Sequence, residues 1–229
     1  FREELRYDKI AISMIRGYFF GTGPGTVVPG GMHAFLKSAP DVEAADWEFL
    51  FRGAPLDANP WFPGIKKKYQ DGYAIRCGIL HPKSRGEVRL QSTKPTDPLV
   101  IDFQFLSNNE DLVSLREGLK VARSVAHQDA LAPYRGRELT PGPDAKTDAD
   151  LDEFIRNSVV TIDHPACTCP MGTGPDCVLS PDLKVRGVEN LRVVDGSAMP
   201  DLTSAHTNST IMMMAEKASD MILGRYPLP

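Results

Sequence analysis

Apolar and polar positions change period along this chain, and the changes predict its elements. Between residues 47 and 105, short runs rich in β-branched and aromatic side chains follow one another with no helical stripe between them. Residues 47–51 (Trp-Glu-Phe-Leu-Phe) predict one strand and residues 73–80 a second. Residues 87–91 alternate cleanly, with Val88 and Leu90 on one face and Arg89 and Gln91 on the other, and 99–105 predict a fourth strand. Pro82, Gly86, Pro95 and Pro98 between them suit the loops of an antiparallel or mixed sheet, because the strands succeed each other without crossover helices.

The period then lengthens. Ser107-x-x-Glu110 has the form of a capping box and precedes an apolar stripe at Leu112, Leu115, Leu119, Ala122 and Ala126. Thr147-x-x-Asp150 repeats the device before Leu151, Phe154 and Ile155, and the Pro- and Gly-rich stretch 133–144 between them predicts a surface loop. In the last third, 159–162 is short and β-prone, and 191–195 has the composition of a buried strand that ends in an acid and Gly196. Residues 207–223 predict a helix with Ile211, Met214, Ala215, Ala218 and Ile222 on one face. Near the start, Gly21, Gly23, Pro24 and Gly25, then Pro29, Gly30 and Gly31, punctuate a loop. No strand leads into Gly21 and no helix signature follows Gly25, so the pattern of a phosphate-cradling loop is absent.

The 229 residues are enough for one large domain or two small ones with a sizeable core. A formal net charge of −4 gives no electrostatic basis for binding nucleic acid or an anionic membrane surface. No apolar run approaches the ~20 residues that span a bilayer. Arg2, Glu3, Glu4 and Arg6 interrupt any signal-peptide pattern behind Phe1, so the expectation is an N-terminus made by processing or truncation. Cys77, Cys167, Cys169 and Cys177 are too few for a disulfide scaffold, and reduced thiols in a cytoplasmic compartment are expected.

Two polar clusters can carry chemistry. In the first, His164-Pro165-Ala166-Cys167-Thr168-Cys169-Pro170-Met171-Gly172, the histidine is either a satisfied loop residue, a metal ligand, or an acid/base group on a rigid loop. His164 with Cys167, Cys169 and Cys177 offers zinc-type ligands, but the spacing matches no usual zinc pattern, and no metal is expected. The second cluster, Asp201 to Thr210, is a polar loop running into a helix. Thr207, Asn208 or Ser209 can cap that helix, and its first N–H groups then favour nearby negative charge. His206 is either exposed beside a good cap or functional.

Taken in order, these clusters and the segment between them resemble the C-terminal portion of the glucose-methanol-choline (GMC) flavin oxidoreductases, the family of choline dehydrogenases and aryl-alcohol oxidases. The resemblance rests on HPACTCPMG from His164, on VLSPDLKVRGVENLRVVDGSAMPDLTSAHTNSTIMMMAEKASDMI from Val178, and on HPKSRGEVRLQSTKPTDPLVIDFQFLSNNEDLVSLREGLKVAR from His81. Around these stretches the resemblance extends over essentially the whole chain.

The resemblance implies an α/β (α+β) fold: a substrate domain with a mixed, largely antiparallel sheet flanked by helices (1–158), then the returning strand and helix of an FAD-binding dinucleotide fold (159–229). It implies FAD as cofactor and oxidation of a primary or secondary alcohol to a carbonyl. A base removes the hydroxyl proton while hydride leaves the carbinol carbon for flavin N5, and oxygen or a separate acceptor reoxidises the flavin. His164 takes the place of the family's active-site base. His206 takes the second position, where the family carries His or Asn, and hydrogen-bonds the substrate oxygen. Asp195 and Gly196 match the stretch near the FAD pyrophosphate and ribityl chain, while Thr207, Asn208 and Ser209 match the helix start under the flavin pyrimidine ring. His206 in place of Asn argues against a choline-specific enzyme.

The family's Gly-rich dinucleotide fingerprint is absent. The N-terminal FAD-binding half is therefore an expected partner, without which the chain is expected to be inactive. Two other functions fit the same residues: a hydroxynitrile lyase-type enzyme on this scaffold, and a non-catalytic fragment unable to bind FAD alone. Trp47, Phe49, Phe51, Trp61, Phe62 and Tyr73 either line an apolar cavity or belong to the core.

Overall fold

The aromatic-rich run predicted as a strand at 47–51 is realised as the central strand of a three-stranded antiparallel sheet. The structure, a computed structural model, describes residues 2–26, 31–55 and 57–225. Strand β2 (Trp47–Arg52) lies between β1 (Met32–Leu36) and β3 (Ala74–Ile79), and a separate two-stranded antiparallel sheet pairs β4 (Glu87–Arg89) with β5 (Val100–Asp102). Successive residues of β2 point to opposite faces. Trp47 and Phe49 form a buried cluster with Ala122 of helix α2 (Asn109–Ala126), so Glu48 is directed to the other face.

Helix α2 is held on the sheet by that cluster and by the indole N–H of Trp47, which donates to Ser114 Oγ at 2.8 Å. Gly118 allows the close approach: a Cβ there would lie 2.3 Å from Cys77 Sγ on β3. Gly118→Ala therefore overpacks this seam and is expected to cost about 1–3 kcal/mol in denaturant unfolding, with most of the loss recovered when Cys77 is also replaced by Ala. Helix α3 (Asp148–Ser158) packs on α2 through Leu151, which is fully buried, and through Arg116, whose guanidinium reaches Asp152 at 2.9 Å. Its capping box forms as the sequence predicts, with Thr147 Oγ1 accepting from the Asp150 N–H and the Asp150 carboxylate from the Thr147 N–H. For α2 the cap is Asn108, which accepts from the Glu110 N–H, and not Ser107.

A second core gathers Leu179, Leu183, Ala198, Met199, Met214 and Ala218, with Met214 and Ala218 supplied by helix α4 (Asn208–Leu223). Ile211, Met214 and Ala218 of the stripe predicted for 207–223 thus pack on this core, while Ile222, at its end, is exposed. No helix among the described residues is long and apolar enough to cross a membrane.

Several elements depart from the sequence expectation. Helix α1 (Tyr7–Phe20) precedes the loop punctuation and is not among the expected elements. Its apolar positions Tyr7, Ile10, Ala11, Met14, Ile15 and Tyr18 do recur at helical spacing, although Ile12, Met14, Ile15, Tyr18, Phe19 and Phe20 are all exposed. The expected loop at Gly21 is its left-handed C-cap (φ 61°). Pro29 and Gly30 lie outside the described residues. Residues 191–195 form no strand. Their backbone makes a single antiparallel bridge, Arg192 with Lys184, in which Val185 N–H donates to Leu191 O and Val193 N–H to Leu183 O, while Val193 and Val194 pack on the second core. Nor do 159–162 pair: Val159 closes α3, and Val160 and Ile162 are exposed.

Candidate active site

The loop that carries His164 is tied to the turn at 195–198 by three backbone bonds. The N–H groups of Cys167, Cys169 and Met171 donate to the carbonyls of Gly196, Ser197 and Ala198 at 3.1, 2.8 and 2.9 Å. The turn is closed by Asp195, whose carboxylate accepts from the Ser197 N–H at 2.8 Å and from the Ser197 hydroxyl. Gly196 packs under α4, where a Cβ would meet Ile211 Cδ1 at 3.1 Å. Met199, next along, is buried in the second core. The loop is therefore fixed by backbone hydrogen bonds to a segment that is itself anchored by packing.

His206 ends the polar loop before α4. Thr203 Oγ1 donates to Ala205 O at 3.0 Å inside that loop, and buried Thr207 accepts the Ile211 N–H at 3.0 Å through its carbonyl. The structure brings His164 and His206 together: His164 Nε2 lies 2.6 Å from His206 Nδ1, with ring centroids 4.8 Å apart. The other ring nitrogen, His206 Nε2, lies 2.9 Å from Glu48 Oε1. When Glu48 accepts from His206 Nε2–H, a neutral His206 presents its Nδ1 lone pair to His164, and one proton is shared between the facing nitrogens. Histidine 33 completes the cluster, its Nδ1 2.5 Å from the same Glu48 oxygen.

Glu48 and His33 are functional candidates that the sequence analysis did not single out. Glu48 had a signal: a carboxylate amid Trp47, Phe49, Leu50 and Phe51 of a strand must find donors if the strand is central. It is 7% exposed, and its cross-strand partner on β3 is Gly78, which leaves space beside it. His33, on a short edge strand without alternation, carried no such signal.

The remaining predicted residues are placed as follows. Thr207 is the N-cap of α4, but no side chain caps the helix, so the first N–H groups are left for an external acceptor. Asn208 and Ser209 stand exposed in that first turn. Cys167, Cys169, Cys177 and His164 do not converge; among the described residues, the one group of three or more potential metal ligands is His33, Glu48 and His206. All four cysteines are unpaired. Burial, with a smaller contribution from Asp46, pushes the Cys77 thiol up to about 12. Cys77 is therefore expected to resist alkylation at pH 8 in the folded protein and to react fully only after unfolding, as intact-mass labelling would show. Of the aromatics, Trp47, Phe49 and Trp61 are buried core, and Phe51 stacks on Tyr73 at 5.3 Å between centroids.

Residues 82–215 match the family model described as GMC oxidoreductase. An oxygen-dependent choline dehydrogenase of Pseudomonas aeruginosa (strain UCBPP-PA14) is 39% identical over 212 residues, covering 92% of this chain and 37% of that protein. Pyridoxine 4-oxidase from Mesorbium loti is similar in structure with a TM-score of 0.72 and 32% identity, over 85% of this chain and 38% of that one. A fungal aryl-alcohol oxidase is similar with a TM-score of 0.64 and 32% identity, over 79% and 28%. The chain thus spans little more than a third of the length of such relatives. With the family model matching more than half of the chain and the sequence similarity extending over nearly all of it, this chain belongs to the GMC oxidoreductase family.

Proposed function

We propose that this chain is the C-terminal part of an FAD-dependent oxidoreductase that converts a primary or secondary alcohol to a carbonyl, with His164 as base and His206 as the donor that steadies the substrate oxygen. The observation that carries this reading is the facing pair: two imidazoles from different loops, 2.6 Å apart, one of them held from behind by a buried carboxylate. A hydroxyl entering between the pair meets a proton acceptor at His164 Nε2 and a hydrogen-bond donor at His206 Nδ1 in the state where the shared proton sits on His206, its Nε2–H held by Glu48, whose carboxylate balances the charge on the ring. The first takes the proton, and the second stabilises the alkoxide character that develops as hydride leaves carbon. The backbone ties from 167–171 to 196–198 hold His164 in place at no conformational cost during the reaction.

FAD, when bound, supplies the two-electron acceptor for the carbinol hydride at N5. The residues present fit such a group. The uncapped start of α4 at Thr207, Asn208 and Ser209 offers backbone N–H donors and a positive dipole end to an anionic ring edge, and Gly196, next to Asp195, lets that turn pack closely under the start of α4. Two separate cores support a division into a substrate domain, 1–158, and a returning segment of the flavin domain, 159–229. Exposed apolar side chains on α1 and at Met212 and Met213 of α4 are surfaces for the FAD-binding half that longer relatives carry. Oxygen or a separate acceptor would complete turnover, and the four free thiols fit a cytoplasmic setting.

The test is to assemble the chain with that half and assay carbonyl formation from a panel of aryl, alkyl and sugar alcohols, with oxygen and with an artificial acceptor. Carbonyl product from at least one alcohol is the expected result. Bound flavin with no carbonyl from any alcohol would favour a hydroxynitrile lyase-type reaction on this scaffold. Failure to retain flavin would instead leave a non-catalytic fragment.

A further inference from the structure

Glu48 is buried, yet its hydrogen-bond partners are both imidazoles, His33 and His206. A buried carboxylate needs a compensating positive charge close by, and a cluster of two imidazoles and one carboxylate can hold that charge either as a proton or as a metal ion. The three ligand atoms, His33 Nδ1, Glu48 Oε1 and His206 Nε2, all lie within 4.8 Å of one another. Their separations are 2.5, 2.9 and 3.4 Å. Tetrahedral zinc with bonds of ~2.0–2.1 Å sets its ligand atoms ~3.3 Å apart, so insertion requires opening the Glu48 contacts by less than ~1 Å.

The three donors come from independently anchored elements. His33 on β1 and Glu48 on β2 are diagonal neighbours on one sheet face, since His33 is opposite Leu50 and Glu48 opposite Phe35. His206 is fixed by the loop that leads into α4. The carboxylate is nearly enclosed, while the His33 and His206 side chains are 33% and 46% exposed, which gives an entry path and leaves a fourth position open to water.

We propose that His33, Glu48 and His206 form a zinc site whose occupation turns the oxidation reaction off; the inhibitory half of this statement rests on the functional reading above. The consequence follows from the His206 ring. Zinc on Nε2 fixes the ring proton on Nδ1, which faces His164 Nε2 at 2.6 Å. A ligating histidine characteristically donates its second N–H to a neighbouring acceptor, and here that acceptor is the lone pair with which His164 would take the substrate proton. Zinc thereby pins the His206 ring with its N–H in the His164 lone pair, so the facing nitrogens, 2.6 Å apart, do not part to admit the substrate hydroxyl.

The experiment is a calorimetric titration of the flavin-loaded, chelator-treated enzyme with zinc chloride, followed by anaerobic flavin reduction at each occupancy. The expected result is one zinc per chain, a reduction rate that falls in proportion to occupancy, and full recovery on adding EDTA. His33→Ala and, independently, Glu48→Gln should each weaken zinc binding by at least about 10–100-fold, the loss that even outer-shell partners produce. Retained flavin absorbance verifies that each variant is folded. No stoichiometric zinc binding, or binding unchanged in both variants, would overturn the site. Full occupancy with an unchanged reduction rate would overturn the inhibitory lock. If the zinc-free enzyme fails with every alcohol, the functional reading fails instead, and the calorimetric result still decides the site.

Discussion

Replacing His164 by Ala should slow anaerobic flavin reduction by about 10²–10⁴-fold while FAD remains bound, which is about 3–5 kcal/mol of barrier. The reason lies in what the substitution leaves intact. His164 is positioned by backbone bonds from Cys167, Cys169 and Met171, none of which involves its own side chain. Cutting the side chain at Cβ therefore removes the proton acceptor without releasing the loop or disturbing Asp195, Gly196 and the start of α4. Loss of flavin from this variant, or reduction at the wild-type rate, would each count against His164 as base. Stopped-flow spectra give both readouts in one experiment.

His206→Ala is expected to have the second largest effect, about 10²–10³-fold on the same rate, the cost of removing one donor to a developing oxyanion. His206→Asn should lose less, because an amide N–H can still reach the substrate oxygen, although Asn is shorter and cannot also engage Glu48 through a second ring nitrogen. The order wild type, Asn, Ala is also the order of side-chain volume, so Tm separates the two roles. An oxygen-stabilising side chain loses rate with Tm little changed, whereas one needed only to fill space loses stability along with rate. Equal losses in both variants, tracked by a lowered Tm, would assign His206 to the fold.

How far the sequence discloses this arrangement depends on whether a feature is local. The α2 and α3 stripes, the Thr147 box and the β-prone runs of β2 and β3 are local and legible, and the structure places elements there. Helix α1 is local too, in the helical spacing of Tyr7, Ile10, Ala11, Met14, Ile15 and Tyr18, but the glycines and prolines that follow it are the louder pattern. Residues 191–195 have strand composition, but their pairing stops at one antiparallel bridge between Arg192 and Lys184, too short for a ladder. At the site, His164 and His206 stood out through their motif context, and the structure brings them together. Their juxtaposition with Glu48 depends on β2 facing the second loop across more than a hundred residues of chain, a relation no local pattern encodes. His33 depends in turn on the register of β1 against β2.

The most direct test of the account is to follow the oxidised flavin band of the assembled enzyme during anaerobic addition of alcohols. The account predicts bleaching by at least one alcohol, complete at one equivalent per flavin, with the matching carbonyl recovered in equal amount. A bound flavin that stays oxidised with every alcohol, in an enzyme freed of metal, would contradict it.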